Sequence, residues 1–519
     1  MNASWLSQAV FYHVLPQSFC DADGDGIGDL RGLESKLDAL SDLGINAIAL
    51  GPIYVSPFKD AGYDVADHRR IDPRYGRLED FDRLLAAVHE RGIRLCLTLV
   101  ADRTSDRHAA FVESARFERT PSSDRYIWRD GSSTERDGDL DYALCEGERI
   151  GAFACDTAAH RPLLNFGFAA PRRAHEQPCD APGPTANRRA LEETLAFWLD
   201  RGVDGFRVDR PAALVKGDPD RIATRRLWRA LTDWLRERFD DRALIAEWGN
   251  PETAIDAGFD VDALTPERGA VDGLLLGPES LPPRSRWPYF DAEGRGDFRP
   301  FHEAFAFHAA RIAGKGYVGL ASGSHATSRP SVARDADDLA VLFTFLLTWP
   351  VVPCIYYGDE IGMRFLRGVP NREGGFERCG ARTPMQWNAS RLAGFSSAPP
   401  HLPLDASADR PNVADQRADK ASLWHHVERL VYLRVTEADL AADTRLRMLS
   451  ESATGYPLVY QRGENLVVAI NPGPASHRVR LAPLGDLAPV LGQRCEPHRD
   501  ADGWWLRIGA RGYGVFAAR

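Results

Sequence analysis

The sequence predicts an α/β fold: a parallel sheet wrapped by helices, a long irregular insertion, and a small antiparallel β domain after it. Three observations carry this. Short apolar runs alternate with helix-spaced segments, the rhythm lapses between Thr104 and Asn165, and its character changes after about Arg445. At 519 residues with 44% hydrophobic content, the chain is long enough for two or three domains.

Val10–Leu15, Ala47–Leu50 and Arg94–Val100 read as strands, with helical spacing over Leu33–Leu43 and Phe81–Arg91 between them. Repeated βα units of this length point to parallel strands with helices outside. The Thr104–Asn165 stretch is rich in Asp, Arg, Ser and Gly. An irregular segment that long inside a domain is usually functional or a small inserted domain. The rhythm resumes with a helix over Arg189–Arg201 and strands over Gly205–Val208, Leu244–Ala246, Tyr317–Leu320 and Val351–Tyr357. Leu423–Ala442 is helical. Leu458–Gln461, Leu466–Ile470 and Gly512–Ala517 read as antiparallel strands of a C-terminal β-sandwich. The boundaries expected are 1–103 and 166–445 for the barrel, 104–165 for the insert and 446–519 for the β domain.

A net charge of −10 argues against nucleic-acid or anionic-membrane binding. The N-terminal residues lack the pattern of a secretory signal. The apolar run Leu339–Tyr357 is broken by Thr344, Thr348, Pro350 and Pro353, so it reads as a helix and a strand, not a membrane span. Eight scattered cysteines, with no C-x-x-C pair, fit a cytoplasmic protein with reduced thiols.

Where parallel strands close into a barrel, function sits past their C-terminal ends. Asp209 follows Gly205–Val208, and Glu247 follows Leu244–Ala246. Ser324, His325 and Arg329 follow Tyr317–Leu320, and Gly62-Tyr63-Asp64 lies beyond the second strand. Two carboxylates facing one another across a pocket suit glycoside chemistry: one attacks the anomeric carbon and the other handles the proton. Arg207, two residues before Asp209 on the same strand face, is expected beside it. Strand-end acids that merely cap helices are the competing reading from spacing alone.

Val10-Phe11-Tyr12, Asp25-Gly26-Ile27-Gly28-Asp29-Leu30, Gly62-Tyr63-Asp64-Val65 and Gly205-Phe206-Arg207-Val208-Asp209 resemble the α-amylase superfamily, glycoside hydrolase family 13. So do Tyr356-Tyr357-Gly358-Asp359-Glu360-Ile361-Gly362 and Arg382-Thr383-Pro384-Met385-Gln386-Trp387, which are closest to its oligo-1,6-glucosidase, α-glucosidase and trehalose synthase branch. The resemblance implies a (β/α)8 TIM barrel with an inserted B domain and a C-terminal antiparallel β domain. It implies Asp209 as nucleophile, Glu247 as acid/base, and Tyr63 stacked on the sugar. It also implies Asp64 and Arg329 as a pair holding a non-reducing end, with Arg207 and His325 in the substrate site. It further implies a structural Ca²⁺ held by Asp21, Asp23, Asp25, the Ile27 carbonyl and Asp29, with no organic cofactor; a solvated acidic turn is the alternative for that loop.

Two departures stand out. The family's Asn-His-Asp motif reads Ser324-His325-Ala326 here, so its third carboxylate is replaced by alanine. The strand-3 motif places Arg103 where the family has a histidine that contacts substrate, and an arginine there suits a carboxylate or phosphate. Arg210 is a second unusual base. The expectation is a retaining α-glycoside hydrolase or transglycosylase with a small, modified sugar as partner; the alternative is a non-catalytic sugar-binding or scaffolding barrel. Survival of Asp209, Glu247, Arg207, Asp64 and Arg329 favours the former.

Overall fold

The computed structural model describes residues 3–264, 271–450, 452, 454–481 and 485–518. Eight strands form the centre: β1 (Phe11–Val14), β2 (Ala47–Leu50), β3 (Arg94–Val100), β4 (Gly205–Asp209), β5 (Ala243–Ala246), β6 (Val261–Leu264), β7 (Tyr317–Ala321) and β8 (Val352–Tyr356). All neighbours pair in parallel, and β8 returns to β1 to close the barrel (Phe11 opposite Cys354). The run in β2 is buried throughout, as expected of strands covered on both faces.

The outer helices follow the 3.6-residue period. In Leu78–Glu90, Phe81, Leu84, Leu85 and Val88 face inward, and the Asp80 carboxylate caps the first turn by accepting the Arg77 N–H. The Leu33–Leu43 stretch forms two short helices, Leu30–Glu34 and Leu37–Asp42. Ala336–Thr348 is nearly all buried, because it lies between the barrel and the C-terminal sheet.

Strand β6 escapes the sequence reading. Its four residues, Val-Asp-Ala-Leu, include a buried acid, Asp262, which breaks the apolar run. The insert contains a four-stranded antiparallel sheet: Trp128–Arg129, Asp141–Leu144, Ala152–Asp156 and Ala158–Pro162. It returns to the barrel beside the end of β3, where Leu164 N–H donates to Asp102 O (2.9 Å) and Arg103 bridges Leu163. Trp128 packs on Phe111 and Phe153 inside the insert.

The C-terminal region is a six-stranded antiparallel sheet linked by continuous strand pairing. Gly503–Ala518 is long enough to pair with Leu466–Asn471 through its second half and with His477–Arg480 through its first. All eight cysteines are free. Among the described residues, no helix is long and apolar enough to cross a membrane.

Candidate active site

Register places Asp209 and Glu247 side by side. Val208 lies opposite Ala246, and Glu247 N–H donates to Val208 O (3.1 Å), so the two acids stand one ladder step further on. Strand spacing then puts their backbones about 4.8 Å apart. Close contact of β4 and β5 depends on Gly205: a Cβ there would fall 2.2 Å from the Ala243 carbonyl oxygen.

Both acids are held by arginines, but not as the sequence implied. Arg207 pairs with Glu247, not with Asp209. Asp209 Oδ2 accepts instead from Arg103 Nη2 at 2.7 Å. Arg103, buried, also donates to Asp102 Oδ1 (2.6 Å) and lies 3.7 Å from Asp156 Oδ2. Asp156 comes from the insert and pairs with Arg210 Nη1 at 2.6 Å. Burial pushes the Asp156 carboxyl up, and Arg210 and Arg103 more than reverse that, leaving it below the ordinary value. Arg210 occupies the left-handed region (φ 48°), uncommon for a residue with a side chain. Further out, Arg161 holds Asp60 at 2.7 Å. Lys216 is buried, and desolvation pulls its ammonium down to about 8.

Tyr63 stacks on His325 (ring centroids 4.9 Å apart, planes at 16°), and His13 meets His325 edge-on at 6.0 Å. Burial, then Arg382, His13 and Arg207, holds His325 well below 6.5; burial and Arg207 do the same to His13. Beneath them the barrel keeps a small cavity, ≈ 50 Å³, lined by His13, Arg207, Glu247, Ser324 and Cys354 among others.

Arg329 and Asp64 do not form the expected pair. Arg329 is fully buried and donates to Asp359 Oδ1 (2.8 Å) and to the Tyr357 and Ala381 carbonyls. Asp64 turns into its own loop, accepting from Lys59 N–H (2.8 Å), Asp60 N–H and Ser56 Oγ. Arg329 is held by a carboxylate and two carbonyls, and Asp64 by its own loop, contacts that a motif does not reveal.

Sequence reasoning also missed Asp156, Asp60, Arg161 and Arg382. Asp262 was missed too. It accepts the N–H groups of Trp248 (2.8 Å) and Gly249 (3.3 Å), the two residues after Glu247, and burial raises it to about 7. The raised value means that the folded state binds this proton more tightly than the unfolded one. Its contribution to stability is therefore full below about pH 4 and is lost as pH rises through about 7. Asp262→Asn keeps an acceptor without the charge. The unfolding free energy of this variant should pull ahead of wild type between pH 5 and 8, by on the order of 2 kcal/mol; a constant difference across that range would refute the assignment.

In the acidic loop, Asp21, Asp23 and Asp29 each bring one carboxylate oxygen within 4.8 Å of the others. That spread is about twice a Ca²⁺–oxygen distance, so the three fit one ion. Asp25 is outside this group; its carboxylate accepts the Ile27 N–H (2.7 Å). Asp21 and Asp29 also accept backbone N–H groups, which shape the loop.

Comparison with known proteins places this architecture. The family described as "Alpha amylase, catalytic domain" matches residues 13–248 and 295–443. The chain belongs to the α-amylase family and with it to the glycoside hydrolases and transglycosylases. It is 29% identical to an oligo-1,6-glucosidase of Parageobacillus thermoglucosidasius, covering 91% of each chain. It is 31% identical to a glucan 1,6-alpha-glucosidase of Streptococcus pneumoniae (88% of this chain, 89% of that one). It is 30% identical to the trehalose synthase/amylase TreS of Mycolicibacterium smegmatis (85% and 78%). The isomaltulose synthase of Erwinia rhapontici NX5 has the same fold, with a TM-score of 0.81 at 25% identity over 99% of both chains.

Proposed function

We propose that the protein is a retaining α-glycoside hydrolase or transglycosylase acting on a small, modified α-linked sugar. The observation that carries this is the side-by-side placement of Asp209 and Glu247 at the ends of β4 and β5. In the first step an Asp209 oxygen attacks the anomeric carbon, and the bond to the leaving oxygen breaks as Glu247 gives that oxygen its proton. In the second, Glu247 takes a proton from water or a sugar hydroxyl, whose oxygen displaces Asp209. Arg103 fixes Asp209 Oδ2, leaving Oδ1 to attack. Tyr63 presents a ring face and Arg207 steadies Glu247. The relatives' names support an α-glucoside-like substrate and both acceptors. A non-catalytic sugar-binding barrel is the second reading; it draws on the Arg103–Asp209 bridge, which occupies the nucleophile. Covalent trapping with activated α-glycosyl fluorides separates the two: no adduct and no fluoride release with any donor would favour the second.

The protein acts in the cytoplasm on this reading, in keeping with its free thiols. Asp21, Asp23 and Asp29 would hold a structural Ca²⁺, with Asp25 and the Ile27 carbonyl completing the loop; the ion takes no part in catalysis. Chelation should then lower the melting temperature by several degrees, with added Ca²⁺ restoring it and Asp29→Ala removing the response. Identical melting with chelator and with Ca²⁺ would count against the site.

A further inference from the structure

Glu247 follows β5, and two peptide planes meet at its Cα to set where its side chain starts. The plane before it is fixed from β4, because Glu247 N–H donates to Val208 O (3.1 Å). The plane after it is fixed from the opposite side, by β6. Trp248 N–H donates to Asp262 Oδ1 at 2.8 Å, and Gly249 N–H reaches the same oxygen at 3.3 Å. Asp262 stands opposite Ala246 in the ladder, one residue before Glu247. Asn250 then caps the helix Pro251–Asp256, so the turn from strand to helix is four residues long.

Asp262 does not belong to the pocket. Its neighbours Val261 and Ala263 line the cavity with Glu247, so strand alternation points Asp262 out of the barrel, toward the helix layer. It is fully buried, at a place where barrel strands are ordinarily apolar. Among the described residues it has no basic partner, and its Oδ2 has no hydrogen-bond partner. The charged groups around it are engaged elsewhere: Asp260 with Arg236 (2.8 Å), Glu252 with Arg311 (3.3 Å) and Asp256 with Arg225 (3.4 Å). Burial raises its carboxyl, and only the N–H groups of Trp248, Gly249 and Asn250 oppose that rise. The Asp262 carboxylate therefore serves the backbone that follows Glu247.

Resting on the catalytic reading above, we propose that Asp262 is a positioning residue for the acid/base: it locks the peptide after Glu247 and so aims the Glu247 carboxyl at the leaving oxygen. Arg207 holds that carboxyl at its tip. A partner at the tip does not fix the backbone from which the side chain springs, and Asp262 does. A general acid must lie within hydrogen-bond reach of the oxygen it protonates, and a misplacement of about 1 Å can cost on the order of 10²-fold. Asp209 stands on β4 and is held by Arg103, so the nucleophile does not depend on this lock.

The test compares leaving groups. Fluoride departs without a proton, whereas methanol needs one from Glu247. The probes are the α-fluorides of glucose, 2-deoxyglucose and glucosamine, and the methyl α-glycoside of whichever sugar releases fluoride fastest. Asp262→Ala should lower kcat/KM on the methyl glycoside at least about tenfold, and on the fluoride by less than about threefold. Asp262→Asn keeps an oxygen acceptor and should recover most of the loss. Should Asp262→Ala fail to fold, Asp262→Glu, which carries the acid one methylene further out, should show the same selective loss. The inference is overturned if a folded variant loses both donors equally, if it loses neither, or if Asp262→Asn is as impaired as Asp262→Ala. Wild type that releases fluoride but leaves the methyl glycoside intact also overturns it, since no proton is then delivered. In each of these cases the catalytic reading stands. No turnover of any donor by wild type defeats that reading, and this inference with it.

Discussion

Asp209→Asn should lower fluoride release from the best α-glycosyl fluoride at least about 10³-fold, equivalent to about 4 kcal/mol of barrier. It should also abolish any covalent adduct seen by intact-protein mass. Glu247→Gln should behave differently. Fluoride leaves without a proton, so the first step survives in that variant. The second step lacks its base, and the glycosyl-enzyme accumulates. The fold should tolerate Asp209→Asn, because Arg103 keeps Asp102 at 2.6 Å and Asp156 nearby. An adduct that persists in Asp209→Asn would remove this residue from the nucleophile's role.

Ala326→Asp should raise kcat/KM on the neutral α-glucosyl fluoride by about 10- to 100-fold, since contacts of this kind can be worth several kcal/mol in a glycosidase transition state. No gain on the neutral donor in a folded variant would mean that position 326 does not face the sugar.

Most barrel strands were legible because they are continuous apolar runs. Ala47–Leu50 and Arg94–Val100 coincide with β2 and β3 residue for residue. β6 was not, because Asp262 interrupts it to serve the backbone beyond Glu247. The positions of Asp209 and Glu247 followed from their strands. Their partners did not, because partner choice is decided in three dimensions. The insert delivers Asp156 to Arg103 and Arg210, and the return strand at Leu163 pins Arg103 over the mouth. Arg207 could be placed on the correct strand and still be assigned the wrong acid.

Strand Gly503–Ala518 has an implication for how the chain is made. It is the partner of three other strands, so the sheet cannot assemble on the ribosome until residue 518 has emerged. Arg511 of this strand also grips Asp335, the cap of the helix Ala336–Thr348. The barrel, complete once β8 has been synthesised, must therefore wait with one helix face uncovered. During that interval the helix face that carries Asp337 and Thr348, which meets Arg494 and Tyr460 in the folded protein, is open to chaperones or to neighbouring nascent chains.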